Sequence, residues 1–136
     1  MAARQFTLEE AEDLLPFLAP LLFKLRGLKA ECDRLQGRMS DLGARTRTNG
    51  HSLTDDLGRL QSELQKAADQ SNELVERIND MGCELKDIDR GLVDFRTVAG
   101  GREVYICWML GEEHIAYWHD LDAGFDGRRP VEELGD

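Results

Sequence analysis

Two long apolar seams constrain this chain more than any other feature. Leu18, Leu21, Leu25, Leu28, Cys32, Leu35, Met39 and Leu42 recur at alternating intervals of three and four, and Leu53, Leu57, Leu60, Leu64, Ala67, Ser71, Leu74, Ile78 and Met81 do the same. Side chains so spaced fall on one stripe of an α-helix, the a/d pattern of a coiled coil. Residues 43–52 interrupt the pattern and contain Asn49-Gly50, a strong turn pair. The spacing predicts long helices over about 17–42 and 53–81, folded back on each other as an antiparallel coiled-coil hairpin. At about 1.5 Å per residue such a hairpin is roughly 35–45 Å long.

Charge agrees with that pairing. Residues 24–51 carry seven basic and three acidic groups, whereas residues 52–82 carry three and seven. Each exposed attraction is worth only tenths of a kcal/mol, but the sum favours one helix against the other. Thr7-Leu8-Glu9-Glu10 reads as a capping box. The short helix it opens is expected to end near Leu15, because a proline disfavours helical geometry in the residue before it. Ser52 is a good cap for the second long helix, and Gly82 a stop signal. Phe17, Leu22 and Phe23 lie off the seam, which marks the base of the first helix as an interface, either with the C-terminal domain or with a partner.

After Gly82 the helical period gives way to strand-like runs at 83–87, 91–99, 102–110 and 114–119. Gly100-Gly101 is a hairpin signal, and Gly111 falls in a second turn. The run 102–110 alternates, with Val104, Ile106, Trp108 and Leu110 on one face and Glu103, Tyr105, Cys107 and Met109 on the other. The first face is expected to be core against the helices. The class is therefore α+β: a helical hairpin over 1–82, then a small antiparallel meander of three to four strands over 83–136. The tail from Asp120 is expected to be irregular, with Phe125 as an anchor.

Composition narrows the function. There are 17 basic against 27 acidic side chains, a net charge of −10, which argues against nucleic acid or an anionic membrane as partner. The apolar run 14–23 is ten residues long and contains Pro16 and Pro20, too short and too broken to span a bilayer. Cys32, Cys83 and Cys107 form no CxxC pair, and an odd count suggests reduced thiols in the cytoplasm. Acidic residues stand where a signal peptide would carry its apolar region. No phosphate loop, dinucleotide fingerprint, HExxH or GxSxG is present, so the reading leans away from an enzyme, with no cofactor predicted.

His119 is the strongest single candidate for chemistry, between Trp118 and Asp120 at a strand end. A structural metal there would need further ligands, and Cys107, Asp94, Glu103, Asp120 and Asp122 are of the right types. None has local zinc spacing, so such a site would be assembled across strands. The competing reading is structural: a histidine bonded to a carboxylate or carbonyl, cysteines as core, with Cys83 and Cys107 able to meet. Trp108 and Trp118 then form a cross-strand pair. Arg102, Arg128 and Arg129 pair with Asp94, Glu103 or Asp120.

TLEEAEDLLP at 7–16, GCELKD at 82–87, GLVDF at 91–95, GREVYICWMLGE at 101–112 and WHDLDAGFDGRRP at 118–130 together resemble a prokaryotic family, domain of unknown function 2203. The resemblance implies a small soluble bacterial protein with a helical N-terminal half, and it brings no catalytic residues with it. Two functions follow. The first is a non-enzymatic interaction protein that forms a homodimer through its hairpin, or holds another protein partner in the cytoplasm. The second is a small-ligand or metal-binding domain with its site on the sheet near His119.

Overall fold

A computed structural model describes residues 4–45 and 51–134, apart from the side chains of residues 45 and 51–53. Helix α1 spans Leu8–Arg45 and helix α2 spans His51–Asp80. They run antiparallel: the surface at Arg38 and Leu42 meets Asp56 and Leu60, and that at Leu28 and Leu35 meets Glu63 and Gln70. Both seams face inward, with Leu18, Leu25, Leu35, Leu60, Ala67, Leu74 and Ile78 buried. Among the described residues, the ion pairs between two helical residues stay within one helix, namely Arg34–Glu31, Lys29–Asp33 and Arg59–Asp56. The apolar stripes make the contact between the helices, and Arg34 of α1 feels the charge of Glu63 of α2 across it. The expected Asn49-Gly50 turn and the side chain of Ser52 lie outside the described residues.

The expected short helix and the long one after it are a single helix. The capping box forms at its start, with the Thr7 amide donating to Glu10 Oε1 at 2.9 Å and the Glu10 amide donating to Thr7 Oγ1 at 3.0 Å. Pro16 and Pro20 then lie inside the helix, both exposed. Each proline removes a donor from the carbonyl four residues earlier. On an exposed face water satisfies those carbonyls, so the helix continues where local sequence rules would end it.

Strands β1 (Glu84–Asp87), β2 (Leu92–Ala99), β3 (Arg102–Met109), β4 (Tyr117–Asp120) and β5 (Arg129–Pro130) form one antiparallel sheet in sequence order. The count is five, not three to four, because the tail returns and pairs Pro130 with Tyr117 and Arg129 with Trp118. A two-residue strand ending in proline has no alternation to read, and an edge position tolerates the missing N–H. Gly100 and Gly101 both have positive φ, 60° and 79°, as a tight hairpin between Ala99 and Arg102 requires. The fourth strand starts later than expected. Ile115 is drawn into the core, and His114 Nδ1 lies 2.9 Å from a carboxylate oxygen of Glu12.

One core joins the two halves. Leu18, Leu22, Leu25, Leu74 and Ile78 of the helices pack with Phe95, Val104, Ile106, Trp108 and Trp118 of the sheet. The first face of β3 is core, as alternation predicts. Leu22 belongs to this core at 1% exposure, packed on the sheet as one of the two expected alternatives has it, whereas Phe17 and Phe23 are each 66% exposed. Ahead of α1, Gln5 makes a parallel bridge to Arg96, the Phe6 amide donates to the Arg96 carbonyl at 2.7 Å, and the Phe6 ring meets Phe95 edge-on at 5.1 Å. Among the described residues no helix is long and apolar enough to cross a membrane.

Candidate functional site

The second sheet face, turned away from the helices, carries the chemistry. Asp94 of β2 lies directly opposite Cys107 of β3, and His119 of β4 lies opposite Tyr105, one row along. Opposite residues project to the same face of a sheet, and diagonal neighbours remain within reach of long side chains. His119 stands two strands from Asp94 and reaches it across β3: its Nε2 is 3.1 Å from both Oδ1 and Oδ2 of Asp94. Its Nδ1 is 2.9 Å from the Asp120 carbonyl. Asp94, Cys107 and His119 thus bring one ligating atom each to within 4.8 Å of one another, and all three are buried.

Of the six expected ligand candidates, three converge, and Asp122 is exposed just past the end of β4. Glu103 accepts from Gln5 Nε2 at 2.8 Å and pairs with Arg96 at 3.3 Å. The Asp120 carboxylate pairs with Arg102 at 2.5 Å, so only its backbone carbonyl reaches His119. Arg128 takes a partner outside the expected set, Glu112, at 2.9 Å. Arg129 lies over the Trp118 ring at 5.6 Å. Cys83 and Cys107 are both free thiols. Cys83 belongs to the core on the helix side, so the two do not meet. Ile106, not Trp108, lies opposite Trp118, because the start of β4 is shifted.

A pocket of about 190 Å³ opens above the trio, with Asp94 and His119 in its wall beside Lys86, Leu92 and Tyr105. Leu121, Ala123, Gly124 and Phe125 close the other side. Two local devices build it. Lys86 is the extra residue in a β-bulge, since Leu85 pairs with Val93 and Asp87 with Leu92. Bulges re-aim side chains, and here Lys86 Nζ comes 4.7 Å from the centre of the Tyr105 ring. Phe125 has the guanidinium groups of Arg90 and Arg128, each 4.8 Å from its ring centre, and so anchors the tail as expected. Lys86, Leu121, Ala123 and Gly124 carry no sequence signal for a site, because a bulge and an irregular tail have no period to read.

Electrostatics differ sharply within this face. Burial, reinforced by the charge of Asp94, pushes the Cys107 thiol up to about 12, so it is a neutral thiol unless a cation takes its proton's place. Burial also works to raise the carboxyl of Glu84. Hydrogen bonds from Arg96, Tyr105 and Lys86 outweigh it and hold the group below the usual range. The Tyr105 hydroxyl donates to Glu84 at 2.9 Å and is pushed up by burial and by that carboxylate.

Comparison with protein families matches residues 4–131 to one described as "Uncharacterized conserved protein (DUF2203)". No curated protein and no solved structure matches the chain.

Proposed function

We propose that this chain, which belongs to the family of domain of unknown function 2203, is a binding domain whose site is the pocket over Asp94 and His119. The observation that carries this reading is the placement of two ionisable side chains, 2% and 3% exposed, in the wall of an open pocket. Burying an acid and an imidazole away from the helical core costs several kcal/mol unless their pairing or a ligand offsets it. A pocket with convergent polar groups and apolar walls is the usual form of a small-molecule site. At about 190 Å³ it takes a ligand smaller than most drug molecules.

The test is a thermal-shift screen of small carboxylates, phosphates and amines, run both with and without a chelator. Binding should raise the melting temperature of the protein, and His119→Ala should abolish the shift. A screen in which no compound distinguishes the two proteins counts against the pocket.

A second reading rests on Phe17 and Phe23. With Pro16 and Pro20 they form an exposed apolar strip on α1, flanked by Asp13 on one side and Lys24 on the other. A second copy packed antiparallel across this strip would set each Asp13 beside the partner's Lys24 while covering the phenylalanines. This supports a homodimer; the two hairpins then pack in coiled-coil fashion. Sedimentation should give a dimer that Phe17→Glu with Phe23→Glu converts to monomer. A monomeric wild type at high micromolar concentration would end this reading. Three unpaired thiols support a reducing compartment, the cytoplasm of a bacterial cell.

A further inference from the structure

The protonation of His119 is constrained by its surroundings. The Asp120 carbonyl can only accept, so Nδ1, 2.9 Å away, carries the proton of that hydrogen bond. In a neutral imidazole the other nitrogen, Nε2, then presents a lone pair. That lone pair faces both oxygens of Asp94 at 3.1 Å. Two electron-rich groups do not share a buried contact without something positive between them, either a proton or a metal ion.

Cys107 favours the metal. Its thiol hydrogen-bonds to Asp94 from directly opposite on the neighbouring strand, so once a cation replaces that proton the sulfur is already held as a third donor beside the carboxylate and the imidazole. Cysteine, histidine and aspartate together are the donor set of zinc-class ions, at roughly 2.3, 2.0 and 2.0–2.2 Å. Tetrahedral bonds of those lengths set the donor atoms roughly 3.3–3.6 Å apart. The observed spread of no more than 4.8 Å closes to that with small side-chain rotations. The Nδ1–H bond to a backbone carbonyl is the outer contact that fixes metal-binding histidines in the correct tautomer.

We propose that Asp94 Oδ, Cys107 Sγ and His119 Nε2 bind one zinc-class divalent ion, with the remaining coordination position open to the pocket. This rests on the pocket reading and names its ligand class. Asp94 and His119 line both the cluster and the pocket, whereas Cys107 lies behind them. An ion held there would present its free position to whatever enters between Lys86 and Phe125. Three protein ligands with one open position is the arrangement of exchangeable rather than closed structural zinc sites.

The experiment uses the full chain purified without added metal, then stripped and reloaded with zinc or with cobalt as a spectroscopic probe. One equivalent per chain is expected, with a thiolate-to-cobalt charge-transfer band and the intense visible bands of tetrahedral cobalt. Cys107→Ser should lose the charge-transfer band and bind zinc at least about tenfold more weakly while keeping its helical circular dichroism. Asp94→Asn should weaken binding without removing the band, and keeps the test open if His119→Ala does not fold. Folded wild-type protein that takes up neither ion overturns the proposal. So does stoichiometric binding that Cys107→Ser leaves unchanged, which would place the ion on the acidic surface. If neither ion binds but a small molecule still shifts the melting temperature under chelation, the metal inference alone fails. If nothing shifts it either, the pocket reading fails with it.

Discussion

Glu84 lies in the same cross-strand row as Asp94 and Cys107, yet its chemistry is the opposite of theirs: three donors satisfy it, from Arg96, Tyr105 and Lys86. Its folded value is depressed, so its contribution to stability is fully present above the ordinary carboxylate range and is lost as pH falls through the depressed value. Chemical denaturation across a pH series should therefore show a shallower loss of stability below about pH 4.5 for Glu84→Gln than for wild type. Equal slopes would show that the network does not act on Glu84. Thiol reactivity gives a second residue-level prediction. Burial pushes Cys83 up to about 11, so it should resist alkylation in the native protein at neutral pH, while half-buried Cys32 reacts first. Labelling of Cys83 ahead of Cys32 would contradict its burial. Residue types alone pointed to His119, Cys107 and Asp94, because few side chains can ligate. They also pointed to Glu103 and Asp120, which the fold turns toward arginines. Two consecutive ligand-type residues cannot both face one side of a strand, and for His119 and Asp120 only the register decides which does.

At the scale of elements, the seams were legible because a mean spacing of 3.5 held over eight and nine positions is hard to obtain by accident. The prolines misled because local rules take no account of which face they occupy. Pro20→Ala restores a helical donor on an exposed face, and it should stabilise the protein by about 1–3 kcal/mol in urea titrations. No change would mean the carbonyl of Pro16 loses nothing by facing water. Gly91 is the reverse case. Its φ is 63°, and a Cβ there would stand 2.6 Å from Leu110 Cβ. Gly91→Ala should cost about 1–3 kcal/mol, and would loosen the turn beside the bulge that aims Lys86. A neutral Gly91→Ala would show that the β1–β2 turn can shift freely. The bulge and β5 were not legible, since each depends on a partner strand and leaves no local pattern.

For the molecule as a whole, the shared core divides the hairpin into an anchored base and an outer part. Residues such as Leu18, Leu22, Leu74 and Ile78 pack on the sheet, whereas Leu35, Leu60 and Ala67 are buried outside that cluster. Amide hydrogen exchange should therefore be slowest across 11–25 and 92–108 and faster across 35–42 and 57–64, because the outer helices bury a single stripe. Uniform protection would show that the hairpin opens only with the sheet. The N-terminal bridge has a different consequence, in the order of events. Gln5 bonds to Glu103, 98 residues later, and Phe6 closes onto β2. Bringing such distant points together carries a loop-closure cost that nothing local repays. The segment made before either helix must wait, undocked, until β2 and β3 have paired. The stretch ahead of the helices is therefore the piece that assembly adds last.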